Sequence, residues 1–176
     1  MIFTPTALPG LMLVGATRSE DERGSFTRTW CRREFEAHGL NAPPVQISIS
    51  SSRLKGTVRG MHFQRAPHAE TKLVRCIEGA IFDVAIDLRP GSPTRGQWLG
   101  FELTPQNGLA LAIPEGFAHG LQTLLPDTEV LYQISAFHEP ESLGGVRWND
   151  PAFAIPWPLA LSAISARDAA WPDYQP

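Results

Sequence analysis

The chain has 176 residues, 15 lysines and arginines against 18 aspartates and glutamates, a net charge of −3 and 43% apolar residues. That is the make-up of one globular domain, and without a basic cluster it argues against a nucleic-acid partner. Two cysteines, Cys31 and Cys76, form no CxxC pair and imply reduced thiols in a cytoplasmic protein. The first 15 residues lack a basic leader and are broken by Pro5, Pro9 and Gly10. Nowhere does an apolar run reach the roughly 20 residues that span a bilayer.

In chain order, the apolar run 11–14 (LMLV) suits an edge strand. Residues 30–38 (WCRREFEAH) read as a short helix, with Phe35 four positions after Cys31 and Gly39 as its stop. Residues 45–51 (VQISISS) alternate, with Val45, Ile47 and Ile49 on one face and Gln46, Ser48 and Ser50 on the other, the pattern of a half-buried strand. Further strands are predicted at 57–63, 72–77, 80–88, 97–103, 109–113, 119–124 and 128–137. Each is bounded by turn residues such as Lys55-Gly56, Glu78-Gly79, RPGSP at 89–93, PQNG at 105–108 and PEG at 114–116. A second helical turn is placed near 165–170. With 15 glycines and 16 prolines, many short strands in a sandwich or barrel are expected, as one domain over 1–176.

The 81–88 strand puts Phe82, Val84, Ile86 and Leu88 on one face and Asp83 and Asp87 on the other with Ile81 and Ala85. Its acidic face either lines a polar cavity or is solvated. Further on, Gly108 to His119 reads GLALAIPEGFAH and resembles the second signature of the cupin superfamily, a small jelly roll. The first signature is incomplete: five residues separate Gly56 from His62, but Gln64 stands where a second histidine is usual. A metal would have to use His62, His119 and Glu70 or His68, which is a weak ligand set.

A more specific resemblance rests on seven motifs in family order: DERGSF at 21–26, GTVRGMHFQ at 56–64, KLVRCIEGAIFDVAIDLRPGSPT at 72–94, IPEGFAHG at 113–120, EVLYQ at 129–133, RWNDP at 147–151 and SARDAAWP at 165–172. They resemble the dTDP-4-dehydrorhamnose 3,5-epimerase family of nucleotide-sugar epimerases. The resemblance implies an all-β, cupin-like jelly-roll sandwich with one or two short helices, a homodimer, and no metal or other cofactor. It also implies inversion of C-3 and/or C-5 of an NDP-4-keto-6-deoxyhexose in activated deoxysugar synthesis, such as supplies O-antigen.

The implied catalytic residues are His62 as general base, Asp168 as its partner, Tyr132 as general acid and Lys72 at the enolate oxygen. Substrate contacts fall to Arg23, Phe26, Gln46, Arg59, Asp83, His119 and Arg167. The chemistry calls for these types. A proton beside a ketone is lost as an enolate forms and returns from the other face, so a base and an acid must flank the sugar. A regular strand would send Arg59 and His62, three residues apart, to opposite faces, so a bulge near Gly60 is required if both serve one pocket.

Trp148 and Cys76 read as packing residues. Arg28, Phe137 and the segment after Gln46 depart from the family pattern at the substrate rim and point to a changed nucleotide contact. Two other readings are a metal-dependent cupin enzyme and a non-catalytic jelly roll that binds a sugar nucleotide.

Overall fold

In the computed structural model, which describes residues 1–175, the predicted strands appear as a two-sheet sandwich. The N-terminal part supplies β1 (Ile2–Pro5), β2 (Met12–Gly15), β3 (Arg18–Asp21), β4 (Gly24–Thr27) and helix α1 (Arg32–Ala37). Then come β5 (Gln46–Ser52), β6 (Val58–Gln64), β7 (Lys72–Glu78), β8 (Ile81–Asp87) and β9 (Trp98–Leu103). The series closes with β10 (Leu109–Ile113), β11 (Phe117–Thr123), β12 (Thr128–Ile134), β13 (Leu143–Gly145) and helix α2 (Ala166–Ala169).

One sheet runs β1-β2-β10-β7-β12-β5 and the other β13-β6-β11-β8-β9, with β3 and β4 forming a separate hairpin. Every pairing within these sheets is antiparallel, and strands distant in sequence are neighbours, as in a jelly roll. No helix among the described residues is long and apolar enough to cross a membrane.

Between the sheets lies a core of Leu11, Val74, Cys76, Ile81, Ala85, Leu103, Leu111, Phe117, Leu121 and Val130. Cys76 is a packed residue in this layer, and burial pushes its thiol up to about 11. The other face of β8 is buried too: Val84 and Ile86 pack with Met61, Ala118, Val146, Phe153 and Ile155, the last three from the irregular C-terminal segment. Trp148 packs in that segment against Trp157, its ring 6.3 Å away. On the outside of the larger sheet, α1 lays Phe35 onto Val14, Leu73, Ala110 and Ala112. The stop at Gly39 is taken at φ +77°.

Two expectations are corrected. The run 11–14 is not an edge strand: β2 lies inside the sheet between β1 and β10, and the edges are β1 and β5. The apolar face of β5 is not buried either, since Val45, Ile47 and Ile49 are 47%, 65% and 57% exposed. It is the polar face of β5, with Ser50 and Ser52, that turns into the sandwich, because it borders a polar cavity rather than the core.

The bulge required between Arg59 and His62 is present. His119 of β11 stands opposite His62 and Leu121 opposite Arg59, so β6 carries one residue more than β11 over this stretch. Gly60 adopts φ +130° there, and a Cβ on it would sit 2.4 Å from the Cα of Gly120. Gly60→Ala is therefore expected to cost about 3 kcal/mol of stability from backbone strain and overpacking. Urea unfolding would check this, and an unchanged midpoint would show that the bulge relaxes around a side chain.

Candidate active site

The polar cavity has a volume of about 500 Å³ and opens between the two sheets. The smaller sheet contributes Arg59 and His62 from β6 and His119 from β11; the larger one contributes Lys72 from β7, Tyr132 from β12 and Ser50 from β5. The C-terminal segment adds Ser165, Arg167 and Asp168.

Asp168 lies 106 positions from His62 in sequence and is brought to it by backbone pinning. The Val58 N–H donates to the Ala163 carbonyl and the Ser162 N–H to the Gly56 carbonyl, so the tail runs along the start of β6. This approach needs glycine at 56, where a Cβ would come 2.5 Å from the Ala160 carbonyl oxygen. Helix α2 then begins at Ser165, whose hydroxyl accepts from the Asp168 N–H as an N-cap.

The resulting pair is tight. His62 Nε2 lies 2.7 Å from Asp168 Oδ1, and the Gly60 N–H donates to Oδ2 at 3.2 Å. Burial works to raise the Asp168 carboxyl, but the hydrogen bond and charge of His62, with the Gly60 and Ser165 contacts, hold it below the usual range. With Nε2–H given to Asp168, the free lone pair of His62 is at Nδ1. The Trp171 ring packs edge-on at 6.3 Å from the imidazole, in space that Gly145 leaves open.

His119 forms a second such pair, its Nε2 2.7 Å from Oδ1 of the fully buried Asp83. Asp83 thus stands behind His119 rather than on the cavity wall, and its Oδ2 has no partner among the described residues. The Tyr132 ring meets His119 edge-on at 6.2 Å, and its phenol lies 3.2 Å from Ser50 Oγ. Burial is the main cause that pushes this phenol up to about 12, so it holds its proton at neutral pH.

Lys72 is held by Glu70, Nζ to Oε1 2.8 Å, and donates to the His62 carbonyl at 3.3 Å. Arg59 donates to Ser52 Oγ and the Ser51 carbonyl, which aims its guanidinium along the inner face of β5. Arg167 stays mostly exposed at the mouth.

Besides Asp83, three expected contacts lie elsewhere. Gln46 stands behind the rim, its Oε1 accepting from the His138 N–H. Arg23 and Phe26 sit on the β3–β4 hairpin, away from this cavity. Arg23 pairs with Asp21, and Phe26 is 72% exposed instead of lying in the chain's own core.

The acidic residue Asp87 is at the far end of β8, outside the cavity. Burial would raise it, but Arg89, Ser92 and Thr94 outweigh that and hold it low. Neither Ser50 nor Trp171 is singled out by the sequence, and Glu70 is so only as a candidate metal ligand. The polar stripe Gln46-Ser48-Ser50 was the one available signal for Ser50.

The metal-ligand set does not assemble. Among the described residues no three His, Cys, Asp or Glu side chains converge, and His62 and His119 each commit Nε2 to a carboxylate. Gln64, at the usual second-histidine position, is 2% exposed and fastens loops: it donates to the His68 and Phe137 carbonyls and accepts from the Glu139 N–H.

A jelly roll whose walls bring a histidine–carboxylate pair and a protonated phenol to one cation-lined cavity has the make-up of a cupin-like enzyme. The dTDP-4-dehydrorhamnose 3,5-epimerase profile matches residues 5–175, and the chain belongs to that family of epimerases.

The dTDP-4-dehydrorhamnose 3,5-epimerase of Salmonella typhimurium is 44% identical over 98% of this chain and 94% of its own. The crystal structure of the Bacillus anthracis dTDP-4-dehydrorhamnose 3,5-epimerase, with TDP and PPi bound, superposes with a TM-score of 0.95 at 39% identity, covering 98% and 99% of the two chains. That of the Legionella pneumophila dTDP-6-deoxy-D-glucose-3,5-epimerase, in complex with dTDP-4-keto-L-rhamnose, gives 0.91 at 34% identity, covering 99% of both.

Proposed function

We propose that the chain inverts C-3 and C-5 of a dTDP-4-keto-6-deoxyhexose through an enolate, as a metal-free step of deoxysugar synthesis in the cytoplasm. The observation that carries this is the placement of His62 and Tyr132 on opposite sheets of one cavity. A sugar ring seated between them has a base toward one face and an acid toward the other.

His62, oriented by Asp168, removes the proton beside the ketone; Tyr132 returns one from across the ring. Lys72 and His119 stabilise the negative charge that develops on O-4, usually a large contribution. Arg59 and Arg167 hold the diphosphate. The dTDP carrier is the nucleotide of the two solved relatives described above.

Arg23 and Phe26 serve the same substrate from a second copy of the chain, the hairpin crossing into the partner's cavity. A homodimer also covers the exposed apolar face of β5, whose Ile47 and Ile49 a lone chain leaves in water. Sedimentation at micromolar concentration is expected to give twice the chain mass, and a single-chain mass would remove Arg23 and Phe26 from the site.

The reaction is tested by incubating purified, metal-stripped protein in D₂O with dTDP-4-keto-6-deoxyglucose and following C-3 and C-5 by NMR. Deuterium is expected at both centres. Folded protein that exchanges neither centre, with this or the CDP and GDP analogues, would overturn the reading.

A further inference from the structure

Inverting two centres of one bound sugar makes a demand that a single phenol does not meet alone. Tyr132 gives up its proton at the first centre and is left as a phenolate while the sugar still covers the cavity. Burial makes that phenolate unfavourable, and a second inversion cannot be completed until the proton is replaced. Among the described residues, the only side chain hydrogen-bonded to the Tyr132 Oη is Ser50, 3.2 Å away across the β5–β12 pair.

Ser50 is well placed to reload it. It is half-buried on β5, the outermost strand of its sheet, so its hydroxyl lies between the phenol and the sheet edge. A serine hydroxyl carries one donor and two acceptor lone pairs, so Oγ can donate to Oη while accepting from solvent. The 3.2 Å separation is long for two hydroxyls and shortens once one of them is charged.

We infer that Ser50 is a positioning residue that relays a proton from solvent to Tyr132 between the two inversions, so that one visit of the sugar yields the doubly inverted product. This rests on the epimerase reading above. The protons balance. As the sugar C–H bond forms, the Tyr132 Oη–H bond breaks; Ser50 Oγ–H then passes its proton to Oη and takes another from hydronium or a buffer acid. The matching proton is the one His62 removed from the sugar and sheds to water.

The test follows product composition in single-turnover mixing of dTDP-4-keto-6-deoxyglucose with the intact protein, its Ser50→Ala variant and its Ser50→Thr variant. In the native protein the singly inverted ketosugar stays a minor species. With Ser50→Ala the second inversion is expected to slow more than the first, so that the singly inverted sugar accumulates about tenfold more; this is less than the roughly 10²–10⁴ of a full acid–base contribution, because water can still reload the phenol directly. Ser50→Thr, which keeps a hydroxyl, restores the native pattern.

An equal slowing of both inversions in Ser50→Ala would mean that Ser50 merely orients the ring, and would overturn the relay. So would an unchanged product pattern, which leaves the epimerase reading intact, or a native protein that inverts one centre only, which narrows that reading to a single-centre epimerase. A native protein that turns over no sugar would instead remove that reading and the relay with it.

Discussion

His62→Ala is expected to lower epimerisation by about 10³-fold, within the usual worth of a positioned general base, and to abolish deuterium entry at both C-3 and C-5. Both centres flank the same C-4 ketone, and His62 is the one imidazole whose Nε2 is fixed by Asp168 while its other nitrogen is left to the cavity. Affinity for dTDP should stay nearly unchanged, because Arg59 and Arg167, the cations proposed to hold phosphate, do not depend on the imidazole for their own contacts. Exchange monitored by NMR, beside calorimetric titration with dTDP, separates the two. Full exchange in the variant would reassign the base.

Tyr132→Phe should split the reaction differently. Without the phenol the enolate still forms, since proton removal belongs to the opposite wall, but no acid stands on the second face to complete inversion. Inversion is expected to fall by about 10²–10³-fold while deuterium still washes in at the proton's original position, with the sugar's configuration retained. The fold should tolerate the change, because the phenol's one side-chain hydrogen bond, to Ser50, faces the cavity and not the core. If wash-in and inversion fell by the same factor, Tyr132 would be needed for deprotonation too, and the two-wall arrangement would be wrong.

The eight central strands were legible because alternation and turn residues both mark them. Strands β1, β3, β4 and β13 escaped for the opposite reason: they are three or four residues long and carry too few buried side chains to show a period. On β5 the period was real but its direction was not. Periodicity says that two faces differ, not which one points inward; around a polar cavity the serines point in.

Which residues share the cavity was legible only through the family motifs. Spacing alone separated Arg59 from His62, and only the glycine-dependent bulge in β6 reunites them. Nothing local in the sequence joins Asp168 to His62, because the link is made by backbone contacts between the C-terminal segment and the start of β6. Arg23 and Phe26 mark the limit of one chain: their hairpin does not reach the cavity.

Gln64 also sets the mechanics of the cavity's mouth. Its amide satisfies two carbonyls and one N–H in loops at the cavity's rim, two donations and one acceptance at once. A neutral imidazole offers one of each. Histidine at this position would therefore strand at least one loop carbonyl before any ligand geometry was gained. The same amide thus latches the His68 loop to the loop of Phe137 and Glu139, and the cavity's mouth keeps its shape only while that latch is an amide.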